Sequence, residues 1–196
     1  MKFLELVKNR QSERAYESRL VDESLVMQCI EAARLAPSAC NSQPWTFIIV
    51  DDSDLRLKIA DSMSNKVLPL NHFTKQAPVQ VVVVNEGSNF TASLGNKIKD
   101  KDFSKVDIGI AAQHFCLQAA DLGLGTCMLG WFNEAKIKKL LDIPEKKRIE
   151  LVITVGYSKD KFRKKKRKSI KKITAKNSYK NKISDEHPYI KMYKAE

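Results

Sequence analysis

A single mixed domain, with a central sheet flanked by helices, is the architecture this sequence predicts. Three observations predict it: helix-like and strand-like periodicities alternate along the chain, the longest apolar runs (47–50 and 81–84) are of strand length, and residues 104–122 carry helical spacing with few polar positions. With 196 residues, 43% of them hydrophobic, the chain can fill one such core. Alternation alone admits either a parallel or an antiparallel sheet.

The elements follow in order. Leu25, Val26, Cys29, Ile30, Ala33 and Ala36 recur at helical spacing behind Asp22, a capping residue, and Pro37 stops the helix. A Pro-Ser-Ala-Cys-Asn-Ser-Gln-Pro loop over 37–44 enters a strand at 45–50, and 51–66 reads as a helix opened by acids. The valine-rich run 79–84 predicts a central strand buried on both faces. Residues 85–101 are polar and have neither period, which predicts a flexible surface excursion. In the helix at 104–122, Ile108, Ala111, Ala112, Phe115, Cys116, Ala119, Ala120 and Leu122 predict burial on most sides, which in a chain of this size points to a subunit interface. Gly123-Leu124-Gly125 ends it; a strand at 126–131, a short helix at 133–141 capped by Asn133, and a last core strand at 149–155 complete the set.

Charge is uneven. Residues 1–158 hold 20 Lys and Arg against 19 Asp and Glu, whereas 159–196 hold 15 against 4, so +11 of the net +12 sits in the tail. Residues 161–172 carry nine basic residues and no acid, which suits a solvated segment, a phosphate ligand or non-specific nucleic-acid contact. No apolar run approaches the ~18 residues of a membrane span, and the N-terminus lacks a signal-peptide pattern, so a cytoplasmic protein without a membrane partner is expected. Cys29, Cys40, Cys116 and Cys127 form no C-x-x-C pair and no metal-binding spacing, which predicts buried thiols and no metal.

No G-x-S-x-G, P-loop, G-x-G-x-x-G or H-E-x-x-H motif is present, and the three histidines are scattered, so acid–base catalysis by a side chain is not expected. His114, inside an apolar helix, reads as a hydrogen-bonded core residue. Arg10-Gln11-Ser12-Glu13-Arg14 instead sets two guanidinium groups and a hydroxyl on alternate residues, which face one way in an extended chain and match phosphate oxygens.

That segment, the 36–45 stretch ending Asn41-Ser42-Gln43-Pro44-Trp45, Asp107-Ile108-Gly109 opening an alanine-rich helix that ends Gly123-Leu124-Gly125-Thr126, and Lys164-Lys165-Lys166-Arg167 after Gly156-Tyr157 together resemble the FMN-dependent nitroreductase family. The resemblance spans about residues 3–172. It implies an α+β fold with a mostly antiparallel sheet flanked by helices, an intertwined homodimer with FMN sites at its interface, a domain over 1–175, and an extension over 176–196 with no assigned role. It further implies that Arg10, Ser12 and Arg14 contact the FMN phosphate and ribityl chain, and that Pro37, Ser38, Ala39 and Asn41 line the flavin held by the partner subunit. Met128, Leu129 and Gly130 would lie along the isoalloxazine, Asn71 at its polar edge, and Lys165 and Arg167 on the phosphate. The implied reaction passes two electrons from NADH or NADPH to FMN and then to a small acceptor such as a nitroaromatic or a quinone, by a ping-pong route.

The residue types agree with this chemistry. Four basic side chains can neutralise a phosphate, small residues let backbone approach a flat ring, and a flavin that carries the redox step removes the need for a catalytic histidine. Two alternatives use the same residues: a non-catalytic FMN-binding or redox-sensing module, and a nucleic-acid-associated protein working through 161–172. Against the second, only Phe162 is interleaved with the basic run and no nucleic-acid motif accompanies it, so no specific nucleic-acid partner is expected.

Overall fold

A computed structural model of the chain describes residues 2–64, 70–87, 102–184 and Pro188. Packing divides the chain into two units, Met1–Phe162 and Arg163–Glu196. The first holds the sheet. Strands β1 (Trp45–Val50), β2 (Val79–Asn85), β3 (Gly125–Leu129) and β4 (Arg148–Gly156) lie in the order β1-β2-β4-β3, every neighbouring pair antiparallel. This decides between the two sheet types that alternation left open.

The two inner strands explain the valine run. Val81, Val82 and Val83 pair with Ile153, Val152 and Leu151 on one side and with Ile49, Ile48 and Phe47 on the other, and all three are fully buried. Each such side chain contributes about 1.5–3 kcal/mol relative to exposure. Helices cover both faces. Against one face pack α2 (Glu23–Arg34) and the long α4 (Ser104–Asp121), through Val26, Cys29, Ala33, Ala111 and Phe115. Against the other pack α3 (Ser53–Met63) and α5 (Glu134–Leu140), through Ile59, Met63 and Ile137.

The caps expected at Asp22 and Asn133 are in place, accepting from Ser24 N at 2.8 Å and from Lys136 N at 3.0 Å, and Asp52, one of the acids before α3, caps it by accepting from Leu55 N at 2.8 Å. Two helices were not expected: α1 (Phe3–Asn9), with no buried residue of its own, and α6 (Ile170–Ile173) in the second unit. Both are too short and too exposed to leave a periodic apolar signal.

Three expectations change. Among the cysteines, Cys29, Cys116 and Cys127 are buried but Cys40 is exposed, because it sits in the loop that turns outward between α2 and β1. The strand predicted at 126–131 stops at Leu129, so Gly130 and Trp131 lie beyond it. In α4, burial is one-sided: Ile108, Ala111, Ala112, Phe115, Cys116 and Ala119 face the core, while Val106, Gly109, Ile110, Gln113 and Leu117 form an open or half-open stripe on the opposite side. The surface excursion expected at 85–101 lies, from residue 88 on, outside the described residues.

In the second unit, Ala175 bridges Lys182 and Lys176 N donates to Asn181 O at 2.9 Å, closing a short turn-back after α6. No residue from 163 to 168 is buried, so nothing in the basic run ties it into a core.

Candidate functional site

The Arg10–Arg14 segment leaves the end of α1, where Arg10 N closes on Leu6 O at 2.9 Å, and lies along the outer edge of β3. Ser12 bridges Thr126 in parallel, and Glu13 N donates to Thr126 O at 2.9 Å. The free edge of an edge strand is thereby covered, and the chain is held extended. Side chains alternate as extended geometry requires: Glu13 is buried, while Arg10 and Ser12 are half-exposed and Arg14 exposed.

Two paired glycines seat this segment. Gly125 and Gly156 face each other across β3 and β4. A Cβ on Gly125 would stand 2.6 Å from Glu13 Cγ; one on Gly156 would stand 2.6 Å from Pro78 Cδ and 2.9 Å from Tyr16 Cδ1. Tyr16 is buried behind them, its hydroxyl 2.7 Å from Thr154 Oγ1 and donating to Glu13 O at 3.1 Å. Arg14 N donates to Asp160 Oδ2 at 2.6 Å, and Gln11 Nε2 donates to Glu13 Oε2 at 3.1 Å and to Lys161 O at 3.2 Å. A cavity of about 160 Å³ opens beside the segment, lined by Arg10, Gln11, Glu13, Ala120, Gly125 and Thr126 among others.

The charges of the segment are felt by two buried thiols. Burial pushes the Cys127 thiol up, while the Arg14 charge, a hydrogen bond with Ser12 and the Arg10 charge pull it down. Cys116 is pushed up to about 11 by burial, against a hydrogen bond with Thr126 and the charge of Arg10. Glu13 is raised above its ordinary value, first by burial, with the neighbouring Asp160 adding to it.

The 37–44 loop is built differently. Ala39–Asn41 form one 3₁₀ turn, and Cys40, Asn41 and Gln43 have φ of 51°, 50° and 46°. Left-handed backbone at residues other than glycine costs of order 1–3 kcal/mol each, so the surroundings must hold it. They do: Ser38 Oγ accepts from Gln43 N at 2.9 Å, Gln43 Nε2 donates to Asn41 Oδ1 at 3.0 Å, and Ala39 N donates to Asp107 Oδ2 at 3.1 Å.

Asp107 stands in the first turn of α4, and Ala120, which lines the cavity beside Arg10, stands at its other end. At 1.5 Å per residue, about 20 Å of helix separates them. Within one chain the loop and the Arg10–Arg14 segment therefore do not close around a common ring. The remaining candidates lie as follows. Met128 is half-buried against the α2/α4 core, Leu129 is buried in the opposite core and offers only backbone, and Gly130 is exposed with open space where a Cβ would be. Asn71 is left-handed, with φ of 59°, and its amide donates to Met63 O at 3.2 Å. Its turn leans on the arginine segment through Phe73, which stacks on Tyr16 at 6.5 Å. Lys165 and Arg167 belong to the second unit, where Arg167 Nη1 donates to Lys166 O at 2.9 Å. His114 makes the hydrogen bond expected of it, with Ala32 O at 3.3 Å between α4 and α2, but is half-buried rather than in the core.

Sequence reasoning passed over Asp107 and Asp160. Asp107 stood inside a motif that gave it no role, and Asp160 is a lone acid at the head of the basic tail, a position that signals it only in hindsight.

A model of the "Nitroreductase family" matches residues 7–157. A protein of Methanothermobacter thermautotrophicus, named as an NADH dehydrogenase/NAD(P)H nitroreductase, is 34% identical over 161 residues, covering 80% of this chain and 78% of its own. The oxygen-insensitive NADPH nitroreductase of Helicobacter pylori strain J99 is 27% identical, covering 86% of this chain and 96% of its own. The solved structure of an FMN-dependent nitroreductase from Clostridium difficile R20291 superposes with a TM-score of 0.73 at 26% identity, covering 90% of this chain and all of its own (100%).

Proposed function

Because the chain belongs to the nitroreductase family, we propose that it is an FMN-dependent oxidoreductase that passes two electrons from NADH or NADPH to a small acceptor, a nitroaromatic, a quinone or a similar compound. The observation that carries this reading is the extended backbone of residues 10–14 along the edge of β3, which sets Arg10, Ser12 and Arg14 on alternate positions. Two guanidinium cations and a hydroxyl are the donor set a phosphate monoester needs. The names of the NAD(P)H- and FMN-dependent relatives support the same cofactors.

Bound FMN supplies the two-electron chemistry. The chain's own residues bind and orient. Arg10, Ser12 and Arg14 would take the phosphate and ribityl chain. The backbone of Met128, Leu129 and Gly130 would lie along the ring, with Asn71 toward its polar edge, and the open space at Gly130 would admit donor and acceptor in turn.

The second half of the site comes from a second copy. With about 20 Å of α4 between the loop and the arginine segment, a two-fold pairing across the open stripe of Val106, Gly109, Ile110, Gln113 and Leu117 sets the start of one α4 near the end of the other. Pro37, Ser38, Ala39 and Asn41 then reach the flavin held by the partner subunit. The four cysteines, none in a disulfide, fit a reducing cytoplasm. Among the described residues no helix is long and apolar enough to cross a membrane.

The test is the purified protein's visible spectrum and its flavin content. Flavin absorption with about one FMN per chain, bleached by NADH or NADPH and restored by a nitroaromatic or quinone, is expected. Apoprotein that takes up no added FMN would remove the reading.

A further inference from the structure

Three observations single out Asp107. It is 4% exposed, and a carboxylate that deep needs partners to remain there. Its Oδ2 accepts from Ala39 N at 3.1 Å, and it lies in the first turn of α4, where helix amides favour negative charge. The loop it grips holds three left-handed residues at Cys40, Asn41 and Gln43, and the Ser38–Gln43 and Gln43–Asn41 bonds only close that loop upon itself. The Asp107 bond ties it to a helix. Val106, the preceding residue, is 54% exposed on the open stripe, so the grip lies next to the surface across which the loop must point.

We propose that Asp107 is a positioning residue of the flavin site: by accepting the Ala39 amide it fixes the 37–44 loop in the shape in which it meets the partner's cofactor. This rests on the FMN reading above. An oxygen acceptor at this place, rather than the charge itself, is what the loop requires.

The experiment titrates FMN into full-length apoprotein of wild type, Asp107→Leu, Asp107→Asn, Ala39→Pro and a control, Asn133→Ala. Leucine nearly matches aspartate in shape but accepts nothing; asparagine keeps the acceptor. Proline at 39 deletes the donor, and Ser38, with ψ of 153°, already has the backbone that must precede proline. Expected are FMN affinities weakened roughly 10- to 100-fold in D107L and A39P, the range for leaving one partner of a buried hydrogen bond unsatisfied, with D107N within about threefold of wild type. A D107L/A39P double variant should bind no more weakly than either single one, since both remove the same bond. N133A should lower the melting temperature without touching flavin affinity. Wild-type affinity in D107L, or D107N as weak as D107L, would overturn the proposal. So would additive losses in the double variant. If D107L does not fold, A39P and D107N decide by the same criteria. Wild-type protein that ignores FMN would instead sink the functional reading on which the proposal stands.

Discussion

At Glu13 the physics of a single side chain is already a prediction. Burial holds its carboxyl above the ordinary value of 4.5, so the folded chain binds that proton more tightly than the unfolded one. Stability from this group is therefore full below pH 4.5 and is lost as pH rises through the raised folded value. Glu13→Gln, which removes the ionisation, should make the apoprotein more resistant to urea than wild type at pH 7, with the advantage gone near pH 4. An equal gain at both would show that ionisation of Glu13 is irrelevant. Its neighbour Arg14 should behave otherwise: Arg14→Ala should cost FMN binding about 1.5–3 kcal/mol and leave the urea midpoint of the apoprotein in place. Gly156 tests the seat beneath both. Alanine there must push on Pro78 and Tyr16, and should destabilise the fold by about 1–3 kcal/mol in equilibrium unfolding. The alternation of Arg10, Ser12 and Arg14 against Gln11 and Glu13 was readable in the sequence because it needs only extended backbone; the demand on Gly125 and Gly156 was not, since it arises from strands far apart in the chain.

Among the elements, those with strong periodicity were legible. The valines of β2, the caps at Asp22 and Asn133 and the stop at Pro37 were found at or within a few residues of their expected places, because each depends on neighbours in sequence. Pairing order was not, because antiparallel and parallel sheets draw on the same valines. The long helix α4 shows the limit most clearly: composition reported how apolar it is, but only packing separates Ala112, sealed in the core, from Val106, open to solvent. That division predicts two different failures. Ala112→Glu should abolish soluble protein, by placing an unpaired charge in the core. Val106→Glu should leave the fold intact by circular dichroism yet yield monomers in sedimentation, with FMN binding weakened in step. A Val106→Glu dimer with full flavin occupancy would move the interface elsewhere.

For the molecule as a whole, the proposed assembly predicts complementation. Take one chain with Arg10→Ala and Arg14→Ala and another with Ala39→Glu, each inactive alone. If the loop serves the partner's flavin, a mixed dimer concentrates both lesions in one site and leaves the other whole, so co-expression should restore about half of wild-type activity per mixed dimer. Loop and arginines acting within one chain would give none. The separation of these two halves along α4 also changes what dilution does. A cofactor shared across a contact is linked to that contact by mass action, so free FMN draws subunits together and low protein concentration sheds flavin. In the proposed assembly, activity per chain should therefore fall on dilution and return with added FMN, a dependence that a site built within one chain would not show.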